Sequence, residues 1–280
     1  MERGLVVVRD LLLMGIPRGG TTLACKLAGQ CENALALFEP MDVTTFDSHR
    51  DANLRKIDAF LSSVRAGVAL HGTAPSKQKD GHVPDNPFTG RVGDDVRALQ
   101  VSVGPVRPVG RLDEDFTLVV KHNAAFIAML PELADRFECV AVVRNPVDVL
   151  RSWASVPLPV REGRLPAGER IDPDLGRGLD AMASVFARQL HLLEWMFDRI
   201  TRYMPRERVL TYEGIISSSG RALYSTLALA PGAETPLAPR AMSAGAGSQD
   251  LGLRELLRRE GAWRQWYSDA EMGAAAGNEE

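Results

Sequence analysis

Apolar and polar positions along the chain switch repeatedly between two periods. Residues 11–16 form a short apolar run that closes on Gly15, with Pro17 after it, the pattern of a strand buried on both faces. Past Gly19-Gly20, residues 21–28 place Leu23 and Leu27 on one helical face, so the segment reads strand, glycine-rich turn, helix. Residues 116–121 again read as a strand, 124–136 as a helix, and the apolar, β-branched run 139–143 as a further strand. Asn145-Pro146 opens another helix, because Asn is a good N-cap and Pro suits the first helical position. Met182, Phe186, Leu193, Phe197 and Ile200 recur at helical spacing and predict a long amphipathic helix over 179–204. Residues 67–71 and 209–212 are predicted as two more strands. The β-α-β-α alternation predicts an α/β fold with a parallel β-sheet flanked by helices on both faces.

Three stretches break this order. Residues 72–111 are rich in Gly, Pro and charge without a lasting period, and are predicted as a long loop or lid with at most one short helix. Residues 156–178, with Pro157, Pro159, Pro166 and Pro173, are predicted as a second irregular segment. Residues 231–252, rich in Ala, Gly, Pro and Ser, are predicted to be mobile, ahead of a basic helix and a Trp-rich tail. There is no internal repeat, and residues 1–280 are read as a single domain with large insertions.

Composition narrows the partners. A formal net charge of -3 gives no reason to expect nucleic acid as a partner, although a local arginine cluster could still hold a polyanionic ligand. Three cysteines cannot build a closed disulfide framework in a chain this long, and no metal-ligand spacing such as C-x-x-C occurs. The apolar run 6–13 is interrupted by Arg9-Asp10, is too short to span a bilayer and has no small-residue cleavage site. The chain is therefore expected to have no membrane span and to reside in the cytoplasm, and the pattern carries no signal for oligomerisation.

Two motifs carry chemistry. In Gly15-Ile16-Pro17-Arg18-Gly19-Gly20-Thr21-Thr22 a glycine-rich turn leads into a helix, where backbone N–H groups and the helix dipole suit a phosphate. The Gly15 to Gly20 spacing matches a nucleotide loop, but Thr21 stands where an ATP- or GTP-hydrolysing loop has Lys, and the positive charge sits inside the loop at Arg18. In the second motif, Arg144 ends a predicted strand, Asn145 caps the following helix and Asp148 complements its dipole. Val147, Leu150 and Ala154 form the apolar stripe of that helix, and Ser152 lies two turns beyond Asn145, off the stripe. Arg144 and Ser152 can therefore face one anion.

Taken together, these motifs resemble the sulfotransferases that use 3′-phosphoadenosine-5′-phosphosulfate (PAPS). That family's 5′-phosphosulfate loop reads Pro-(Arg/Lys)-Ser-Gly-Thr-Thr, from which this chain departs only by Gly19 for Ser. Its 3′-phosphate motif has Arg-Asn/Asp-Pro and then a Ser eight positions after the Arg, matched by Arg144 and Ser152. The resemblance implies PAPS as cofactor, desulfated to 3′-phosphoadenosine-5′-phosphate (PAP), with Pro17, Arg18, Gly19, Gly20, Thr21 and Thr22 at the 5′ end. A looser likeness over 258–264 to the family's Arg/Lys-rich, Gly-x-Trp-(Lys/Arg) segment implies that Arg258, Arg259 and Gly261 close over the nucleotide. The acceptor would be a hydroxyl-bearing molecule, carbohydrate or small-molecule natural product being favoured, held under 72–111 and 156–178.

Sulfuryl transfer needs a base at the acceptor hydroxyl and positive charge where the leaving phosphate forms. Arg18 is the candidate for the second task, with Lys121 as helper. Glu39, in Leu37-Phe38-Glu39-Pro40, resembles the Glu-Pro of carbohydrate-type sulfotransferases, and its apolar company predicts a raised pKa. His122 is the competing base: cytosolic-type sulfotransferases carry Lys-x-His at a strand end, whereas here His follows Lys121 directly and Asn123 takes the matching place. A one-residue shift on a strand turns the side chain to the other face. An ATP-dependent small-molecule kinase with an atypical loop is the alternative enzyme, and a nucleotide-binding module without catalysis the third reading.

Overall fold

The computed structural model describes residues 8–89, 97–232, 236–238 and 249–277, the side chains of 249–253 excepted. In chain order the first elements are β1 (Arg9–Gly15), α1 (Thr21–Gly29), β2 (Ala34–Phe38), α2 (Arg50–His71), β3 (Ala74–Gln78) and β4 (Ser102–Val106). Then come β5 (Thr117–Lys121), α3 (Ala124–Ala128), α4 (Leu130–Ala134), β6 (Glu138–Val143), α5 (Pro146–Ala154), α6 (Pro166–Ile171), α7 (Pro173–Asp180) and α8 (Val185–Tyr203). β7 (Val209–Thr211), α9 (Tyr212–Ser217), α10 (Arg221–Leu227), α11 (Gln249–Arg258) and α12 (Asp269–Ala276) complete the described chain.

Five strands make a parallel sheet in the order β2-β5-β1-β6-β7. Alternate side chains feed two cores, which is why the strand sequences are apolar throughout rather than every second residue. Leu12, Met14, Leu118, Val120 and Val143 face one core with α2, α3, α4 and α8; Leu11, Leu13, Val119, Val140 and Val142 face the other with α1, α9 and α10. The sheet flanked by helices on both faces is thus as expected. From central β1 the chain crosses outward to β2, then returns through β5 and passes to β6 on the other side. The carboxyl end of β1 is therefore a topological switch point, where such sheets hold ligands.

Several local expectations change. Residues 67–71 are the last turns of α2, not a strand: Asn53, Ile57, Leu61, Val64 and Val68 carry a helical burial period through them, and Gly72 ends the helix at φ 66°. Residues 72–111 are not one long loop. They contain the antiparallel pair β3–β4, in which Ala74 and Ser76 turn inward while Pro75 stays exposed. Ser76 Oγ accepts from the Phe38 amide at 2.9 Å, which docks this hairpin on the end of β2. Residues 156–178 are largely helical, with a 3₁₀ turn at Pro159–Glu162 followed by α6 and α7, whose prolines sit at helix starts. The helix expected over 179–204 begins only at Val185, because Ser184 caps it by accepting from the Ala187 amide. Most of 231–252 lies outside the described residues.

Candidate active site

The turn between β1 and α1 takes its path from two close approaches. At Gly15, φ is 150° and a Cβ would stand 2.0 Å from the Val142 carbonyl oxygen of β6. At Gly20, φ is 91° and a Cβ would enter the Tyr212 ring at 2.4 Å. Neither position admits a side chain. Gly19 donates to the Ile16 carbonyl at 2.7 Å, and a Cβ on Gly19 would stand 2.8 Å from that same oxygen. The departure from Ser at this position thus has a steric reason in this chain. Gly20 is the N-cap of α1 and offers no capping side chain, so the first amides of the helix have no side-chain cap.

α5 locks onto this turn. Trp153, fully buried, donates from Nε1 to the Pro17 carbonyl at 2.8 Å. Arg18, at φ 70°, sends its side chain across to α5, where Nε donates to Ser152 Oγ at 3.1 Å. Its guanidinium also reaches Asn86 Oδ1 at 3.3 Å and lies 4.7 Å from the Phe88 ring centre. Arg144 stacks on Tyr212 at 4.4 Å and pairs with Asp148 at 3.2 Å. Its Nε is buried without a hydrogen-bond partner among the described residues, as is Asn123 Oδ1, while Asn123 Nδ2 donates to Thr21 Oγ1 at 3.2 Å. Ala154, expected on the apolar stripe, is only half-buried; the buried face of α5 runs instead through Val147, Leu150 and Trp153.

Pro17, Arg18, Gly20, Thr21, Thr22, Arg144 and Ser152 all line one cleft of about 900 Å³ at the carboxyl ends of the strands. Gly19 packs beneath the turn. Glu39, Lys121 and His122 line the same cleft, together with Lys77, which no motif in the sequence marked. Lys77 arrives on β3, inside the stretch expected to be a loop, and the small-polar alternation of Ala74, Ser76 and Gln78 was the available signal.

Glu39 departs from expectation. Its backbone lies at φ 44°, and its two oxygens pair with Lys77 at 2.5 Å and Lys121 at 2.8 Å. Burial alone would raise its pKa, but Lys121, Lys77 and the His122 ring outweigh it and hold the carboxyl well below the usual carboxylate range. The expected raised pKa is therefore corrected, because the apolar neighbours visible in sequence are joined by two ammonium groups in space. Lys121 is fully buried over the Phe38 ring at 4.6 Å. His122 projects to the opposite face, edge-on to Phe126 with ring centres 5.3 Å apart. Its Nε2 accepts from the Met41 amide at 3.1 Å, and burial first of all pushes its pKa down to about 3, so the imidazole is neutral at pH 7.

The C-terminal residues lie elsewhere. Arg258 and Arg259 are exposed at the end of α11, and neither they nor Gly261 lines the cleft. Gly261 has a packing reason: a Cβ there would stand 2.5 Å from the ring of fully buried Trp263. The tail meets the site from behind instead. Tyr267 donates to Glu213 at 2.8 Å, Glu213 accepts from the Asn145 amide at 3.3 Å, and Asn145 Nδ2 donates to the Glu271 carbonyl at 3.0 Å. Among the described residues no helix is long and apolar enough to cross a membrane.

No family model and no curated protein matches this chain. Among solved structures it is similar to the crystal structure of a sulfotransferase from Alicyclobacillus acidocaldarius, at 12% identity over 98% of each chain and a TM-score of 0.44. Function at that distance has to be read from the side chains.

Proposed function

We propose that this chain is a PAPS-dependent sulfotransferase acting on an acceptor hydroxyl. One observation carries the reading: Arg18 of the glycine-rich turn and Ser152 of α5 meet at 3.1 Å on one cleft wall, although 134 positions separate them. That contact supports reading the turn and the Arg144–Ser152 motif as neighbouring sites for the two phosphate ends of one donor.

The residues fit that donor. The Gly20 cradle, which a Cβ would fill, and the uncapped first amides of α1 suit the 5′-phosphosulfate, with Thr21 and Thr22 beside them. The buried, unpartnered Nε of Arg144 suits the 3′-phosphate together with Ser152. When bound, PAPS supplies the activated sulfuryl group. Arg18, Lys121 and Lys77 place positive charge where the 5′-phosphate is released. Glu39 is the base in preference to His122, whose Nε2 lone pair is occupied by the Met41 amide. Glu39 is ionised but weakly basic while both lysines hold it. It gains basicity when one lysine turns from its carboxylate toward the anionic donor.

The test is thermal stability of the full chain with PAP, against ADP with Mg²⁺. At about 100 times Kd a ligand of the native state adds roughly 2.7 kcal/mol, and each kcal/mol raises Tm by about 2–4 °C near this size. A rise with PAP alone is expected. A rise with ADP and Mg²⁺ alone would replace the sulfotransferase by the small-molecule kinase.

A further inference from the structure

The cleft has a second half that the nucleotide motifs leave unused. Beyond Glu39, its wall is built by Met41 and Val43, by Leu158 and Val160 of the turn after α5, and by Leu165 and Ala167 at the start of α6. All six belong to, or pack against, the apolar core on the α8 side of the sheet, so this wall is the cleft-facing edge of that core. The segment after Glu39 and the helix α6 are fastened to each other by Arg170, which donates to the Val43 carbonyl at 3.1 Å.

The cations at this end are engaged within the protein. Arg164 pairs with Glu169 at 2.5 Å and with Asp180 at 2.6 Å. Arg170 holds Val43 and faces Asp42. Lys77 and Lys121 pair with Glu39, and on the reading above they are shared between it and the donor, which leaves neither for an acceptor anion. A sulfated or carboxylated acceptor binds through arginines or lysines that its anions can pair with, and it loses hydration against apolar walls without compensation. Among the described residues this end therefore offers apolar contact and internally balanced charge. Size points the same way: one drug-sized ligand ordinarily fills a pocket of roughly 300–1,000 Å³, and here about 900 Å³ must hold nucleotide and acceptor together.

We infer, resting on the sulfotransferase reading above, that the acceptor is a small uncharged alcohol or phenol with an apolar body, and not an anionic glycan or an acidic peptide. Its hydroxyl lies toward Glu39 and its body against Leu158, Val160 and Leu165.

The experiment titrates three probes into the full chain saturated with PAP: 2-naphthol, a heparin tetrasaccharide and an acidic tyrosine peptide. Each is read by calorimetry and then as an acceptor by PAP release from PAPS. 2-Naphthol is expected to bind and to be sulfated, the other two to do neither. Leu158→Asp, at a half-buried position, is expected to raise the KM for 2-naphthol by roughly tenfold or more and to leave the Kd for PAP unchanged. Tighter binding of the tetrasaccharide or the peptide while PAP is bound overturns the inference and leaves the sulfotransferase intact. If PAP itself fails to bind, the sulfotransferase reading falls, and 2-naphthol titrated into the protein alone still decides the chamber. Binding that Leu158→Asp abolishes supports an apolar ligand; no binding overturns it.

Discussion

The two ends of the cleft handle charge in opposite ways. At the turn before α1, donors are left open: the helix amides have no capping side chain and the buried Nε of Arg144 has no hydrogen-bond partner among the described residues. At the Glu39 end almost every charge is closed on a neighbour, Glu39 between two lysines and Arg164 between two carboxylates. An end with standing unsatisfied donors is prepared for an anion that arrives with its own charge. An end with balanced charge and an apolar wall is prepared for a neutral body and a local proton transfer. The boundary between them is the lysine pair, which holds Glu39 and lines the same cleft as Arg18.

The sharpest way to break this comparison is at Glu39. Glu39→Gln keeps the shape and a hydrogen-bond acceptor for Lys121 but removes the base, so kcat is expected to fall by about 10²- to 10⁴-fold with PAP binding retained. A fall of less than tenfold in steady-state turnover would reduce Glu39 to an ion-pair partner that positions Lys121. Next in size is the open end. Arg144→Ala removes charge-assisted hydrogen bonds worth about 1.5–3 kcal/mol, so the KM for PAPS should rise roughly tenfold to a hundredfold with kcat little changed. An unchanged KM would remove Arg144 from the 3′-phosphate.

The smallest effect concerns His122 and is read as stability, not turnover. Burial holds its pKa at about 3 in the folded chain against 6.5 unfolded, so below pH 6.5 the unfolded state binds the extra proton. Stability should therefore fall with pH from 6.5 downward, by up to about 1.4 kcal/mol per pH unit for this one group. Glu39, depressed from 4.5, adds its own loss only as pH falls through 4.5 and lower. His191, also lowered by burial, and Glu194, raised by burial, act in the same interval as His122, so the His122 part is read from the difference between wild type and variant. Denaturant midpoints of wild type and His122→Gln should diverge over that interval; parallel curves would mean that the imidazole is not held neutral.

Much of the scaffold is legible in the order of residues. The turn at 15–22 and the cap at Asn145-Pro146 act through neighbours within one or two helical turns, and the strand runs at 11–16 and 139–143 are bounded by those signals. The hairpin β3–β4 was not legible, because its pairing joins residues 74–78 to 102–106 across a stretch without period. The helix over 50–71 was missed for a related reason: its apolar positions are sparse, and Gly67 to His71 alone imitates a strand. In the tail the structure gives the motif residues other surroundings. Its Gly-x-Trp spacing is real, yet Gly261 serves the packing of Trp263, and the two arginines before it face solvent.

By itself, then, the order of residues determined that a parallel sheet would carry a glycine turn and a capped helix with Arg18, Arg144 and Ser152 attached to them. Those features depend on local dihedral preference, hydrogen-bond capping and burial period, all of which are written in adjacent residues. Only the tertiary structure decided that Arg18 would meet Ser152, that Lys77 would join Lys121 on Glu39, and that Glu39 would be held acidic rather than basic. A pKa is set by charge and solvent within a few ångströms in every direction. Of the groups around Glu39, sequence displays only those before and after it, while both ammonium groups that govern it arrive from strands 38 and 82 positions away.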